Sequence, residues 1–156
     1  MIDRYTTHPG RTTWTRLVGD HDRIARQCAA IAALAQSSDQ PVETVTVQLL
    51  ELAVVVADHL GIEDQVIDLT ATAIRFGASV EQAAAMTREL DVLKSDWTDF
   101  IVRWSPTAIA ERWSAFIVDA QAMMPRLAAQ VRRENELLYA EAMHRGIIDT
   151  GRPILH

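Results

Sequence analysis

Residues 57–66, ADHLGIEDQV, place His59 and Glu63 four residues apart inside an otherwise apolar helical stripe. Four residues is a little over one turn, so both side chains fall on one face. The same face carries Leu49, Leu52 and Val56 before them and Val66 after them. An unpaired buried carboxylate costs several kcal/mol even after relaxation. The stretch therefore poses a fold question and a chemical one: what buries this seam, and what neutralises its polar residues.

Working outward, four long stretches have helical periodicity: about Trp14 to Gln36, Val42 to Thr70, Val80 to Trp104 and Thr107 to Met143. The breaks between them hold helix punctuation. Pro41 suits a first helical turn. Gly77 is a stop, and Ser79 with Gln82 three residues on is a capping box. Ser105 and Pro106 start the fourth helix. No strict alternation suggests strands. The chain reads as all-α, an antiparallel up-down-up-down four-helix bundle. It is a single domain over 1–156, with the bundle at about 14–143, an N-terminal arm of thirteen residues packed across it as a loop, and a C-terminal tail. Pro125 inside the fourth helix should kink or break it.

Inward seams spaced three and four apart run through all four helices. The first holds Leu17, His21, Ile24, Cys28, Ile31 and Ala35. The third holds Ala83, Met86, Leu90, Leu93, Trp97, Phe100 and Trp104. The fourth holds Trp113, Phe116, Ala120, Met123, Leu127, Gln130, Glu134 and Leu137. The polar seam residues are His21, His59, Glu63, Gln130 and Glu134, with no Lys or Arg among them. His21 lies roughly 10 Å from the start of its helix. His59 and Glu63 lie roughly 10 to 16 Å from the end of theirs, and Gln130 and Glu134 roughly 13 to 20 Å from the end of the fourth. In an antiparallel bundle these heights coincide, and the third helix meets the layer at Met86 and Leu90.

Composition bounds the rest. The chain has 156 residues, a net charge of −6 and 49% hydrophobic residues, a globular balance without a basic block. Nucleic acid is therefore not an expected partner. No apolar run is long enough to span a membrane. The N-terminus has no apolar signal core, and the single cysteine cannot form an internal disulfide, so a cytoplasmic location is expected. There is no nucleophile–base arrangement and no phosphate loop, so the expectation is a binding module, not an enzyme.

Two imidazoles and two carboxylates in one buried layer suit a metal: His and Glu together are ordinary ligands for iron, zinc or manganese. At this point the residues carry a resemblance. DHDRI early in the first helix, HLGIE late in the second and RRENELLYAEAM closing the fourth resemble the hemerythrin-like (HHE cation-binding) family over about residues 14–143. The resemblance implies the bundle fold. In the family it implies two irons held by five histidines and two bridging carboxylates, and roles in oxygen binding or sensing, iron storage, or redox and nitrosative stress. Carried onto this chain, it makes His21, His59, Glu63 and Glu134 metal ligands. It also exposes departures. Met86 and Leu90 stand where the third helix would carry histidines, and Gln130 stands where the fourth would. Three of five histidines are missing, which implies an incomplete site and not a di-iron oxygen carrier.

Two readings stay open. One is a binding or sensing module with one iron or zinc ion in the surviving half-site. The other is a metal-free structural or regulatory bundle acting through an unidentified protein partner. A mononuclear non-haem iron enzyme is a weaker third. On the blander side, Met86 and Leu90 read as core filling the lost ligand positions, and Gln130 as a hydrogen-bonding residue to Glu63 or His59. RRENE reads as a solvated face with only Glu134 inward. Cys28 reads as a small core residue, and Trp97, Trp104 and Trp113 as core at the far end. His8, His144 and His156 carry no pattern.

Overall fold

The computed structural model describes residues 11–66 and 68–146, without the side chains of 11–13 and 61–66. The elements are α1 (Arg11–Ala35), α2 (Val42–Val66), α3 (Leu69–Arg75), α4 (Val80–Arg103), α5 (Pro106–Glu111) and α6 (Trp113–His144). The four long helices form the bundle, and α3 and α5 are one- to two-turn inserts. α1 packs on α2 and α6, α4 packs on α6, and α3 sits against α4 and α6. Among the described residues no helix is long and apolar enough to cross a membrane.

Most starts and stops follow the local chemistry. Ser79 accepts from the Gln82 amide, and the Gln82 side chain accepts from the Ser79 amide, a reciprocal box that opens α4. Ser105 caps α5, with Pro106 in its first turn. Gly77 has φ +115°, a left-handed conformation that needs glycine. Three boundaries differ from the sequence expectation. α2 ends at Val66 and does not reach Thr70, because Asp68 accepts from the Ala71 amide and nucleates α3 as a separate helix. Arg112 opens α6 without a side-chain cap, which separates it from α5. α1 begins at Arg11, so residues 11–13 are helical and not loop; residues 1–10 of the expected arm lie outside the described residues. α6 runs unbroken through Pro125, which is exposed.

An ion-pair ladder shows the register of α4 against α6. Arg103 pairs with Asp119 at 2.8 Å, Arg126 with Asp96 at 3.0 Å and Arg133 with Glu89 at 3.0 Å. Each step of seven back along α4 is matched by seven forward along α6, as antiparallel helices require. The pairs are exposed, so they mark register more than they add stability.

Among the described residues the core falls into two clusters. The larger cluster runs from Ile24 and Val131 to the far end, where Trp97, Phe100, Trp104, Trp113 and Phe116 meet. The smaller holds Trp14, Leu17, Leu138 and Ala142. The α6 seam thus passes through Leu138, while Leu137 is only half-buried, a one-position correction. The drift of a straight helix against a seven-residue repeat moves the buried face by such a step. Beside the smaller cluster lies Glu141, buried and bonded to Arg75 of α3 and to Arg145 at 2.5 Å. Arg145 also lies over the Trp14 ring, 5.4 Å from its centroid. Burial pushes the Glu141 carboxyl up, but the hydrogen bonds and charges of Arg145 and Arg75 outweigh it and hold the group below its ordinary value.

Candidate metal centre

Between the two clusters sits one polar layer. His21 comes from α1, His59 from the last turns of α2, and Gln130 and Glu134 from α6; all four are buried. His21 Nε2 is 2.7 Å from His59 Nε2 and 3.2 Å from Glu134 Oε1. The imidazoles are tilted by 54° with centroids 4.3 Å apart. One ligand atom from each of His21, His59 and Glu134 lies within 4.8 Å of the other two.

The outer ring nitrogen of His21 is held by a hydrogen bond, and that of His59 faces a carboxylate. His21 Nδ1 lies 2.6 Å from Asn135 Oδ1. An amide oxygen only accepts, so Nδ1 carries the proton and donates it. His59 Nδ1 faces Asp20 Oδ2 at 3.5 Å. The Asn135 bond at Nδ1 leaves His21 Nε2 directed at Glu134 and at His59 Nε2, the arrangement by which outer-shell groups orient metal-binding histidines. Gln130 donates to Glu134 Oε2 at 2.6 Å, so the two carboxylate oxygens have different neighbours.

The fit to an ion follows from these distances. With bonds of about 2.1 Å, two ligand atoms at right angles on one ion are about 3 Å apart. The His21–Glu134 separation is close to this, the two imidazoles need to part by a few tenths of an ångström, and the ligand atoms of His59 and Glu134 lie within 4.8 Å of each other. Two imidazoles and one carboxylate suit iron or zinc.

The residues expected from sequence divide as follows. His21, His59 and Glu134 come together. The side chain of Glu63 lies outside the described residues. Gln130 is a hydrogen-bonding residue, as expected, and the bond described is to Glu134; the expected partner Glu63 lies outside the described side chains. Met86 and Leu90 are half-buried and not full core. Leu90 lines a cavity of about 40 Å³ shared with His59, Gln130, Glu134 and Lys94. Both Leu90 and Met86 line a larger cleft of about 200 Å³ that also reaches Gln130, Glu134 and Lys94. Lys94 is off the α4 seam by one position from Leu93, so reading the seam alone left this cation out. Asp20 and Asn135 were missed for the same reason. Each is next to a seam ligand in sequence, 100° round the helix from it, and a polar neighbour of a ligand was the available signal. RRENE therefore turns two residues inward, Glu134 and Asn135. Cys28 is buried core, and burial pushes its thiol up to about 12.

The family profile of the hemerythrin HHE cation binding domain matches residues 12–142, which contain every residue of this layer. No curated protein and no solved structure gave a significant match.

Proposed function

The chain belongs to the hemerythrin (HHE cation-binding) family, and on that premise we propose that it is a binding or sensing module holding one iron or zinc ion at His21, His59 and Glu134. The observation that carries the reading is the convergence of His21 Nε2, His59 Nε2 and Glu134 Oε1 in a buried layer whose outer nitrogens face Asn135 and Asp20. Three electron-pair donors facing one point need a shared positive charge, and a divalent ion supplies it. When bound, such an ion provides a Lewis-acidic centre with coordination positions beyond its three protein ligands. The protein's own part is to orient the imidazoles, hold the carboxylate and keep the layer dry.

We read the chain as a binder, not an enzyme, because the polar groups nearest the site serve as ligands or as partners to ligands. A cytoplasmic location is supported by the lone, buried, free Cys28. A metal-free bundle acting through protein contacts is the second reading. It is favoured by one feature: the 3.2 Å His21–Glu134 and 2.7 Å His21–His59 contacts are also lengths that a shared proton gives.

Elemental analysis of the chain, expressed with iron and purified without chelator, separates the two. About one ion per chain, lost on His59→Ala, is the expected outcome. A chain that stays empty after anaerobic reconstitution with ferrous iron is the metal-free bundle. An oxo-bridged iron pair in the visible spectrum would sink both.

A further inference from the structure

We propose that Gln130 is a positioning residue that holds Glu134 as a one-oxygen ligand and so limits the site to a single ion. This rests on the single-ion reading above and deepens it.

Gln130 and Glu134 stand four residues apart on α6, both buried, with Gln130 Nε2 2.6 Å from Glu134 Oε2. The amide nitrogen is the donor and the carboxylate oxygen the acceptor. A short hydrogen bond to a charged acceptor, away from water, is among the stronger ones. Both groups ride on one helix, so the bond tolerates little relative motion. The other oxygen, Oε1, faces His21 Nε2 at 3.2 Å. The carboxylate is thus divided: one oxygen turned to the imidazoles, the other occupied by an amide.

A carboxylate that bridges two ions gives one oxygen to each. Oε2 is the oxygen a second ion would need, and Gln130 has it. The surroundings agree. The cavity of about 40 Å³ that Gln130 and Glu134 line together is walled by Leu90, Leu93, Trp97 and Leu127 and carries the cation Lys94. A second metal there would meet hydrocarbon, amide hydrogens and a like charge, and the imidazole on its wall, His59, is a ligand of the first ion. The same bond keeps Oε2 from swinging onto the first ion, which would otherwise take both oxygens. An amide that serves poorly as a ligand therefore acts through the ligand beside it.

The test uses cobalt(II), whose visible bands weaken as its coordination number rises. Three forms of the full chain are titrated with cobalt: wild type, Gln130→Met and Gln130→Glu. Methionine keeps the length and removes the donor. Glutamate keeps the shape and replaces the donor with an acceptor. Wild type is expected to saturate at one ion. Both variants are expected to lose visible intensity several-fold as Oε2 joins the ion, and apo thermal unfolding checks that each is folded. If Gln130→Met does not fold, Gln130→Glu alone carries the comparison. Spectra unchanged from wild type would overturn the proposal while leaving the single-ion reading intact. A change confined to Gln130→Met would also overturn it, by tracing the effect to packing. Two ions in wild type would overturn both, and no uptake would remove the reading on which the proposal stands.

Discussion

The two ends of this bundle follow one packing rule and fill it with opposite chemistry. At the far end the seams converge on Phe116. Trp104 meets it edge-on at 5.4 Å, Trp113 lies at 5.7 Å and Phe100 at 6.2 Å. The indole N–H of Trp104 is satisfied there, since Trp104 Nε1 donates to Asp119 Oδ2 at 2.9 Å. At the other end the same spacing delivers His21, His59, Gln130 and Glu134, and the apolar core stops and resumes beyond them as Trp14, Leu17, Leu138 and Ala142. The aromatic end is complete as a hydrophobic core. The polar end is interrupted by four buried polar side chains and carries a buried ionic fastening at Glu141. The apolar core and the candidate site are thus divided along the bundle axis, and the division can be attacked from either side.

Truncation should show the largest effect and the sharpest contrast. Phe116→Ala empties the centre of the aromatic cluster and is expected to destabilise the metal-free chain by about 3–5 kcal/mol. Leu138→Ala, an equally buried site in the four-residue cluster, is expected to cost about 2–3 kcal/mol, the low end for such changes, because few apolar partners surround it. Urea midpoints of the two variants measure both. A Leu138→Ala loss equal to that of Phe116→Ala would mean the small cluster is no satellite, and the division of labour would fall. Metal uptake per folded chain should survive Phe116→Ala.

Acid should act on the polar end next. The Glu141 carboxyl titrates lower in the folded chain than in the unfolded one, since its arginine partners outweigh the burial penalty. A lowered folded value stabilises above the ordinary glutamate range, and that contribution is lost as pH falls through the folded value. Glu141→Gln removes the contribution. The stability gap between wild type and Glu141→Gln should therefore be widest near neutrality and close as pH drops below the usual carboxylate range. Denaturant midpoints at a series of pH values test this, and a gap that stayed constant to low pH would detach Glu141 from the fastening.

What was legible beforehand follows the same divide. Seams of three and four spell the four long helices, because apolar side chains at that spacing have one way to be buried, and the polar layer is visible as its interruption. His21, His59 and Glu134 could be aligned by height alone, since rise per residue is fixed. The partners of those ligands could not. Asn135, Asp20 and Lys94 sit off the seam, where exposure and inward reach look alike in sequence and only the packed helices decide. α3 was hidden too: the periodicity of the second stretch reaches only about Thr70, and the separate helix depends on the Asp68 side chain bonding the Ala71 amide, a local choice that hydrophobic spacing does not report.

The smallest effect is expected at Cys28, on α1 between the two ends. Its thiol is buried, and burial pushes it up to about 12, so the native chain holds almost no thiolate at neutral pH. Native protein should resist thiol reagents, and labelling should require opening of the bundle. The labelling rate then measures how often the larger core opens. If Cys28 is exposed only when that core opens globally, Phe116→Ala should speed labelling by a factor set by its stability loss, roughly 10²-fold or more at 3 kcal/mol. Arg75→Met loosens only the fastening of α3 and should leave the rate near that of wild type. Equal acceleration by both variants would mean the polar end opens first and carries the middle of α1 with it. The core would then be one cooperative unit in spite of the layer that interrupts it.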